Sequence, residues 1–100
     1  DIHGIRIVGK TGVWISDIQN AEQARKIASI GVRMSRWKTM HGFSLNVKNC
    51  ADGFSLMNPC GYEGIKTTSM EDEKKISFDI STITDNLIDN FCEIFKYQAI

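Results

Sequence analysis

The chain has 100 residues, the size of one domain or of part of one, and 42% of them are hydrophobic. A chain of this length can bury a modest core and well over half of its unfolded surface. Twelve Lys and Arg balance twelve Asp and Glu, which argues against a nucleic-acid-binding protein, because such proteins usually carry a clustered basic excess. No apolar run approaches the roughly 20 residues of a membrane span, and no secretory signal is visible. Three cysteines are an odd number and too few for a disulfide scaffold, and they predict a cytoplasmic protein with free thiols.

Short strands are predicted near the start of the chain. β-Branched and aromatic residues gather at residues 5–8 and 13–15, each time after a glycine. The Lys10-Thr11-Gly12 sequence between them predicts a hairpin turn. Residues 17–24 are polar with two alanines, and they predict a loop with at most one helical turn.

Two longer strands with period-two alternation follow. Residues 26–34 and 43–47 each place alternate apolar residues on one face, which are Ile30, Val32 and Met34 in the first and Phe43, Leu45 and Val47 in the second. The intervening residues 35–42 are too few for a crossover helix. We therefore expect the two strands to be antiparallel neighbours.

The second half of the chain predicts a loop and then a helix. Residues 49–64 are rich in Asn, Gly, Asp and Cys and predict a loop, and residues 71–75 form a charge run that we expect to be solvated. Residues 82–85 can cap a helix with one apolar face, formed by Leu87, Ile88, Phe91, Ile94 and Phe95. Together these elements predict an α+β fold, with an antiparallel or mixed sheet and a C-terminal helix.

Cys60 is the candidate nucleophile, within the sequence Asn58-Pro59-Cys60-Gly61. Pro59 fixes its own φ and restricts the preceding residue, whereas Gly61 permits a tight or left-handed backbone. A cysteine on such a rigid turn has nearby backbone N–H groups that can stabilise a thiolate and an oxyanion. The alternative, which these four residues alone favour, is a buried structural cysteine. Cys50 and Cys92 are interpreted as bystanders.

Lys26 and His41 are the candidate bases. Lys26 opens an otherwise apolar strand, and loss of hydration there would favour a neutral amine that can accept a proton. The commoner alternative is a strand-end lysine whose amino group reaches water. His41 could form a Cys–His pair, although a histidine hydrogen-bonded in a turn is the more frequent case. Trp14 and Trp37 are expected to be core or rim aromatics.

The sequence contains no motif for a metal or a nucleotide. Cys50 and Cys60 have no CxxC or HxxxH partner, so a zinc site is not expected. Neither GxGxxG nor GxxxxGK[ST] is present, which counts against a phosphate-binding loop in this segment. We therefore expect no cofactor and no metal.

Five motifs in a fixed order closely resemble those of the bacterial octanoyltransferases, the lipoyl(octanoyl) transferases of lipoate biosynthesis. They are Gly12-Val13-Trp14-Ile15, residues 26–33, residues 41–47, Pro59-Cys60-Gly61 and Thr67-Thr68-Ser69. That family is related in fold to lipoate and biotin protein ligases, with a class II synthetase-like catalytic domain. Chance seldom produces the order, the identities and the spacing together.

The resemblance implies roles for particular residues. Cys60 matches the cysteine that carries the acyl group as a thioester, and Lys26 matches the lysine that tunes this cysteine and serves as base. The backbone that lines the acyl pocket matches Ser29, Ile30, Gly31, Gly42, Phe43 and Ser44. Thr11 stands where the family usually has proline. Because the chain begins at Asp1 and the family's Arg-Gly-Gly and His-Gly-Pro-Gly-Gln segments are absent, we expect residues 1–100 to be the C-terminal portion of a single catalytic domain, excised or processed from a longer protein.

The resemblance also implies the partners. The donor would be octanoyl-acyl carrier protein, and the acceptors would be lipoyl domains of 2-oxoacid dehydrogenases and the glycine cleavage H protein. No ATP and no metal would be needed, because the donor thioester already holds the activation. Two alternatives stay open: an ATP-dependent ligase of the same superfamily, and a non-catalytic fragment that self-associates through exposed strand edges.

Overall fold

The computed structural model describes residues 2–16, 23–48 and 65–98. In this part of the chain the strands are β1 (Ile5–Ile7), β2 (Lys10–Ile15), β3 (Arg25–Ser35), β4 (Lys38–Leu45) and β5 (Lys66–Thr67). The helices are α1 (Met70–Lys74) and α2 (Ile80–Phe95). Strands β1 to β4 form an antiparallel sheet in chain order, and β5 pairs in parallel with β3. The predicted α+β fold with a mixed sheet and a C-terminal helix is confirmed.

The turn between β1 and β2 differs from the prediction. Lys10-Thr11-Gly12 lies inside β2, and the chain reverses at Val8 and Gly9 instead. Gly9 has a φ of 79°, a left-handed conformation that glycine adopts without a steric penalty. The hairpin therefore closes directly after Ile7, which pairs with Lys10.

Strands β3 and β4 form a long regular hairpin. Their register runs without a break from Ala28 opposite Leu45 to Ser35 opposite Lys38. The connecting residues Arg36 and Trp37 have φ values of 51° and 63°. Positive φ at both positions is the geometry of a type I′ turn, which matches the twist of the strands it joins. The predicted antiparallel pairing is confirmed, and both strands extend further into residues 35–42 than the alternation indicated.

A bulge interrupts the pairing of β2 with β3. Val13 lies opposite Ala28 and Trp14 lies opposite Lys26, so Ile27 is the extra residue on β3. Such a residue shifts the side-chain alternation of its strand by one position. Ile27 and Ala28 consequently pack together on one face, here called the core face. Lys26 lies beside Trp14 on the opposite face, here called the lysine face.

The core is small and lies at the start of β3. Ile15, Ile27 and Ala28 are buried, and the half-buried side chains packed against them are Ile2, Val13, Leu45 and Met70. Beyond Ala28, regular alternation keeps Ile30, Val32 and Met34 on the core face, but these side chains are 42%, 61% and 62% exposed. The core therefore covers only the first part of the strand.

Both helices begin at side-chain caps. The Ser69 hydroxyl accepts a hydrogen bond from the Asp72 N–H at the start of α1. The predicted solvated charge run is thus largely helical, and residues 71–74 are half-buried. The predicted C-terminal helix is confirmed, but it begins at Ile80 because Asp79, rather than residues 82–85, is its cap. It contains no buried residue.

Candidate active site

Lys26 lies buried at the start of β3. The residue is 7% exposed, and its Nζ lies 5.5 Å from the centroid of the Trp14 ring. Its backbone oxygen accepts a hydrogen bond from the Thr68 N–H at 2.9 Å. This burial does not fit the alternative of a strand-end lysine whose amino group reaches water.

Gly12 supplies the space that the Lys26 side chain occupies. Its φ is 132°, a backbone conformation open mainly to glycine. A Cβ at this position would lie 2.5 Å from Lys26 Cε and 2.7 Å from the Ala28 oxygen. The end of the lysine side chain therefore crosses directly over the Gly12 backbone.

The six residues expected to line an acyl pocket form three cross-strand pairs of the β3–β4 hairpin. These are Ser29 with Ser44, Ile30 with Phe43, and Gly31 with Gly42. Because Ala28 belongs to the core face, alternation places the serine and glycine pairs on the lysine face. The Ile30 and Phe43 side chains point to the core face, so these two residues contribute only backbone to the lysine face.

A polar network fixes β5 and α1 beside Lys26. Thr68, which is buried, donates its hydroxyl to Glu73 Oε1 at 2.6 Å. The Arg25 guanidinium donates to both oxygens of the same carboxylate, at 2.9 and 3.1 Å. The Asn46 side-chain amide donates to the Thr68 oxygen at 3.1 Å. These bonds tie the chain that follows β5 to the strand that carries Lys26.

Comparison with known proteins identifies the family. Residues 3–92 match the model of the lipoyl protein ligase A/B catalytic domain. The chain belongs to this family.

The curated relatives are called octanoyltransferases. The chain is 43% identical over 95 residues to the octanoyltransferase of Parabacteroides distasonis, covering 95% of this chain and 42% of that protein. It is 40% identical over 89 residues to that of Myxococcus xanthus, covering 89% and 25% respectively. For that of Cytophaga hutchinsonii the identity is 41% over 91 residues, covering 91% and 37%. The chain thus spans less than half the length of these relatives, and the resemblance found in the sequence is confirmed.

Cys60 and the turn from Asn58 to Gly61 lie outside the described residues, as does Cys50. The predicted loop at residues 49–64 and most of that at 17–24 lie there too. Cys92 is a free, half-buried thiol on α2. Of Cys60 and Lys26, the two residues to which the resemblance assigns catalytic roles, the structure of this lipoyl protein ligase A/B family member therefore describes Lys26 and the strands around it.

His41 is not placed beside Lys26. It lies within β4 rather than in a turn, is exposed, and pairs with Val32 on the core face. Residues 2–16, 23–48 and 65–98 contain no group of three His, Cys, Asp or Glu side chains arranged to hold a metal ion. Neither helix in this part of the chain has the length and apolar character that crossing a bilayer requires.

The sequence alone does not indicate that Gly12 and Trp14 surround Lys26, or that Glu73 bonds Arg25 and Thr68 next to it. The start of α1, the helix that carries Glu73, could have been predicted, because Ser69 followed three residues later by Asp72 is the pattern of a helix cap. For Gly12 and Trp14 no local signal existed, since their contacts with Lys26 depend on the bulge at Ile27.

Proposed function

We propose that the protein to which this chain belongs is an octanoyltransferase of the cytoplasm. It transfers the octanoyl group of octanoyl-acyl carrier protein to a lysine of lipoyl domains, including those of 2-oxoacid dehydrogenases and the glycine cleavage H protein. The observation that carries the proposal is the burial of Lys26 beside Trp14, in a chain whose relatives are called octanoyltransferases.

The first step forms an acyl-enzyme on Cys60. The thiolate sulfur attacks the carbonyl carbon of the donor thioester, a new C–S bond forms, and the carrier thiolate leaves. A free thiol has an ordinary pKa of about 8.5 and is mostly protonated at neutral pH, so a nearby ammonium group promotes this step. In the sequence Cys60 precedes β5, which pairs with β3 at Lys26, and this order supports an encounter of the two side chains.

In the second step the acceptor lysine attacks the thioester of Cys60. An amide bond forms, the C–S bond breaks, and the Cys60 thiolate leaves. The attacking amine must lose a proton, and Lys26 in its neutral form accepts it at Nζ. Lys26 is 7% exposed and its Nζ lies 5.5 Å from the centroid of the Trp14 ring, which supports a fixed position for this amino group.

The acyl chain lies along the lysine face of the β3–β4 hairpin. The floor there is formed by the Ser29–Ser44 and Gly31–Gly42 pairs, whose small side chains leave room for a linear alkyl chain. Ile30 and Phe43 contribute backbone to the same floor. No cofactor and no metal takes part in this reaction.

A second candidate is an ATP-dependent ligase, because the family model describes lipoyl protein ligases A and B together. Such an enzyme activates its acid as an adenylate and needs no cysteine nucleophile. Intact mass spectrometry after incubation with an octanoyl thioester, without ATP, separates the two.

The thioester mechanism predicts a mass gain of one octanoyl group that Cys60→Ser abolishes and Cys50→Ser preserves. The mass gain should be reversed by hydroxylamine, which cleaves thioesters. Acylation that persists in Cys60→Ser contradicts the assignment of the nucleophile. Acyl transfer that occurs only with ATP and free octanoate favours the ligase.

A further inference from the structure

Trp14 occupies an unusual position for a buried tryptophan. It is 3% exposed, yet it lies on the lysine face, opposite the cluster of Ile15, Ile27 and Ala28. Two lysine amino groups lie over its ring: Nζ of Lys26 is 5.5 Å and Nζ of Lys10 is 5.7 Å from the ring centroid. An aromatic face attracts a cation within about 6 Å of its centroid.

The orientation of the Trp14 ring is fixed by its own backbone partner. The indole N–H donates a hydrogen bond to the Lys10 oxygen at 3.1 Å, within the same strand. A buried indole normally needs such a partner, and the bond leaves the ring few orientations. The face that Lys26 meets is therefore held in place by β2 itself.

Gly12 bounds the same lysine from the backbone side. A Cβ there would come within 2.5 Å of Lys26 Cε and 3.3 Å of its Nζ. A lysine side chain has four flexible bonds, and confinement between a ring and a backbone segment removes most of that freedom. Trp14 and Gly12 are two residues apart on β2, so the bulge at Ile27 brings Lys26 to both at once.

We propose that Trp14 and Gly12 are positioning residues that hold the Lys26 amino group for proton transfer, and that the Trp14 ring stabilises the ammonium ion formed when Lys26 takes the proton of the acceptor lysine. This inference depends on the proposed role of Lys26 as base. It assigns to the Gly12-Val13-Trp14 sequence a function in the reaction in addition to its place in the sheet.

A matched pair of variants isolates the aromatic face. Trp14→Phe and Trp14→Leu both lose the indole N–H bond to Lys10, but only phenylalanine keeps a ring over Lys26. The readout is the single-turnover rate of acyl transfer from preloaded enzyme to a lipoyl domain, with KM for the acceptor measured separately. We expect Trp14→Phe to stay within about threefold of the natural rate and Trp14→Leu to lose about tenfold, with KM unchanged. Equal losses in two variants of equal thermal stability overturn the proposal.

A second readout needs no turnover. With ¹³C-labelled lysine, the Hε protons of Lys26 should resonate upfield of those of the other lysines, because the ring current of Trp14 acts on them. The signal, assigned by its disappearance in Lys26→Arg, should remain upfield in Trp14→Phe and return to the common position in Trp14→Leu. An unshifted Lys26 signal in the natural protein overturns the proposal that Trp14 holds the Lys26 side chain. A fully active Lys26→Ala variant would instead refute the role of Lys26 as base. The NMR result would still decide whether the Trp14 ring lies against the Lys26 side chain.

Discussion

The two parts of β3 differ in a way that reverses the usual rule of burial. In the first part, residues 25–28, a lysine is among the buried side chains. In the second part, residues 29–35, Ile30, Val32 and Met34 are exposed. The first part pairs with β2 on one side and with β5 and the end of β4 on the other. The second part pairs with β4 on one side and, among the described strands, with none on the other.

Neighbouring strands, rather than residue type, therefore decide which side chains of β3 are buried. The first part also carries the bulge, which turns Lys26 away from the core face toward Trp14 and Gly12. The second part keeps its apolar side chains on the core face, beyond the reach of the small core. Burial of a lysine amino group is costly unless specific contacts stabilise it. A buried lysine with such contacts is therefore a candidate functional residue.

Substitution of Lys26 should affect acyl transfer more strongly than any other change considered below. Lys26→Ala should slow acyl transfer by about two to four orders of magnitude, the usual range for a lost general base, with the fold intact. Lys26→Arg should fail as well, because guanidinium stays protonated and cannot accept the proton. The measurement is the steady-state rate with a lipoyl-domain acceptor.

Lys38→Ala is the matched control, since this exposed lysine opens β4 beside the second part of β3. It should leave the rate unchanged. An active Lys26→Arg variant would demote Lys26 to a structural residue, and an equal loss in Lys38→Ala would show that the assay responds to general charge.

Next in size is the difference in stability between the two parts of β3. Ile27→Ala removes a side chain that is 3% exposed and should lower the free energy of unfolding by about 2–5 kcal/mol. Val32→Ala, on the exposed part of the same strand, should cost less than about 1 kcal/mol. Urea unfolding followed by circular dichroism gives both values. Equal costs would mean that the exposed stretch is covered in solution.

Much of the fold could be predicted from the sequence, because it depends on local patterns. Alternation located the β3–β4 hairpin, and 3.6-residue spacing located α2. The turn at Arg36 and Trp37 could not be predicted, because neither residue is one that usually adopts positive φ.

The surroundings of Lys26 could not be predicted from local patterns. Counted back from Ile30, strict alternation puts Lys26 on the apolar face, and the bulge at Ile27 reverses that placement. A bulge depends on how two strands pair across the sheet, so no pattern within β3 indicates it. For the same reason Trp14 looked like an ordinary core aromatic, although its ring contacts two lysines.

Loss of Gly12 is expected to cost more than loss of another glycine at positive φ. Gly9→Ala places a side chain at a φ of 79°, which costs about 1–2 kcal/mol, and Gly12→Ala places one at a φ of 132°, which costs about 1–3 kcal/mol. A Cβ at Gly9 meets no atom within 4 Å, whereas one at Gly12 overlaps Lys26 and the Ala28 oxygen. We expect Gly12→Ala to cost about 1–3 kcal/mol more than Gly9→Ala in urea unfolding. Equal costs would show that the sheet yields at Gly12 without disturbing Lys26.

A weaker, local pH dependence is expected at the start of α2. Hydrogen bonds from the Thr82 side chain and backbone lower the pKa of Asp79 below its ordinary value of 3.8. The folded state thus favours the ionised carboxylate, so this contribution to stability is complete above the ordinary value and is lost as the pH falls through the lowered pKa. The Thr82 amide shift in NMR spectra should be constant near neutral pH and change only in strong acid.

Variants of Asp79 show whether the cap of α2 affects only this helix or also the buried part of β3. Asparagine is a good helix cap without an ionisable carboxyl, so the variant should keep α2 and lose the acid transition at Thr82. Asp79→Ala should fray the first turn at all pH values, because the acceptor for the Thr82 N–H is gone. Because α2 contains no buried residue, hydrogen exchange at Ile27 and Ala28 should be the same in both variants. Faster exchange there in Asp79→Ala would show that α2 supports the strand that carries Lys26.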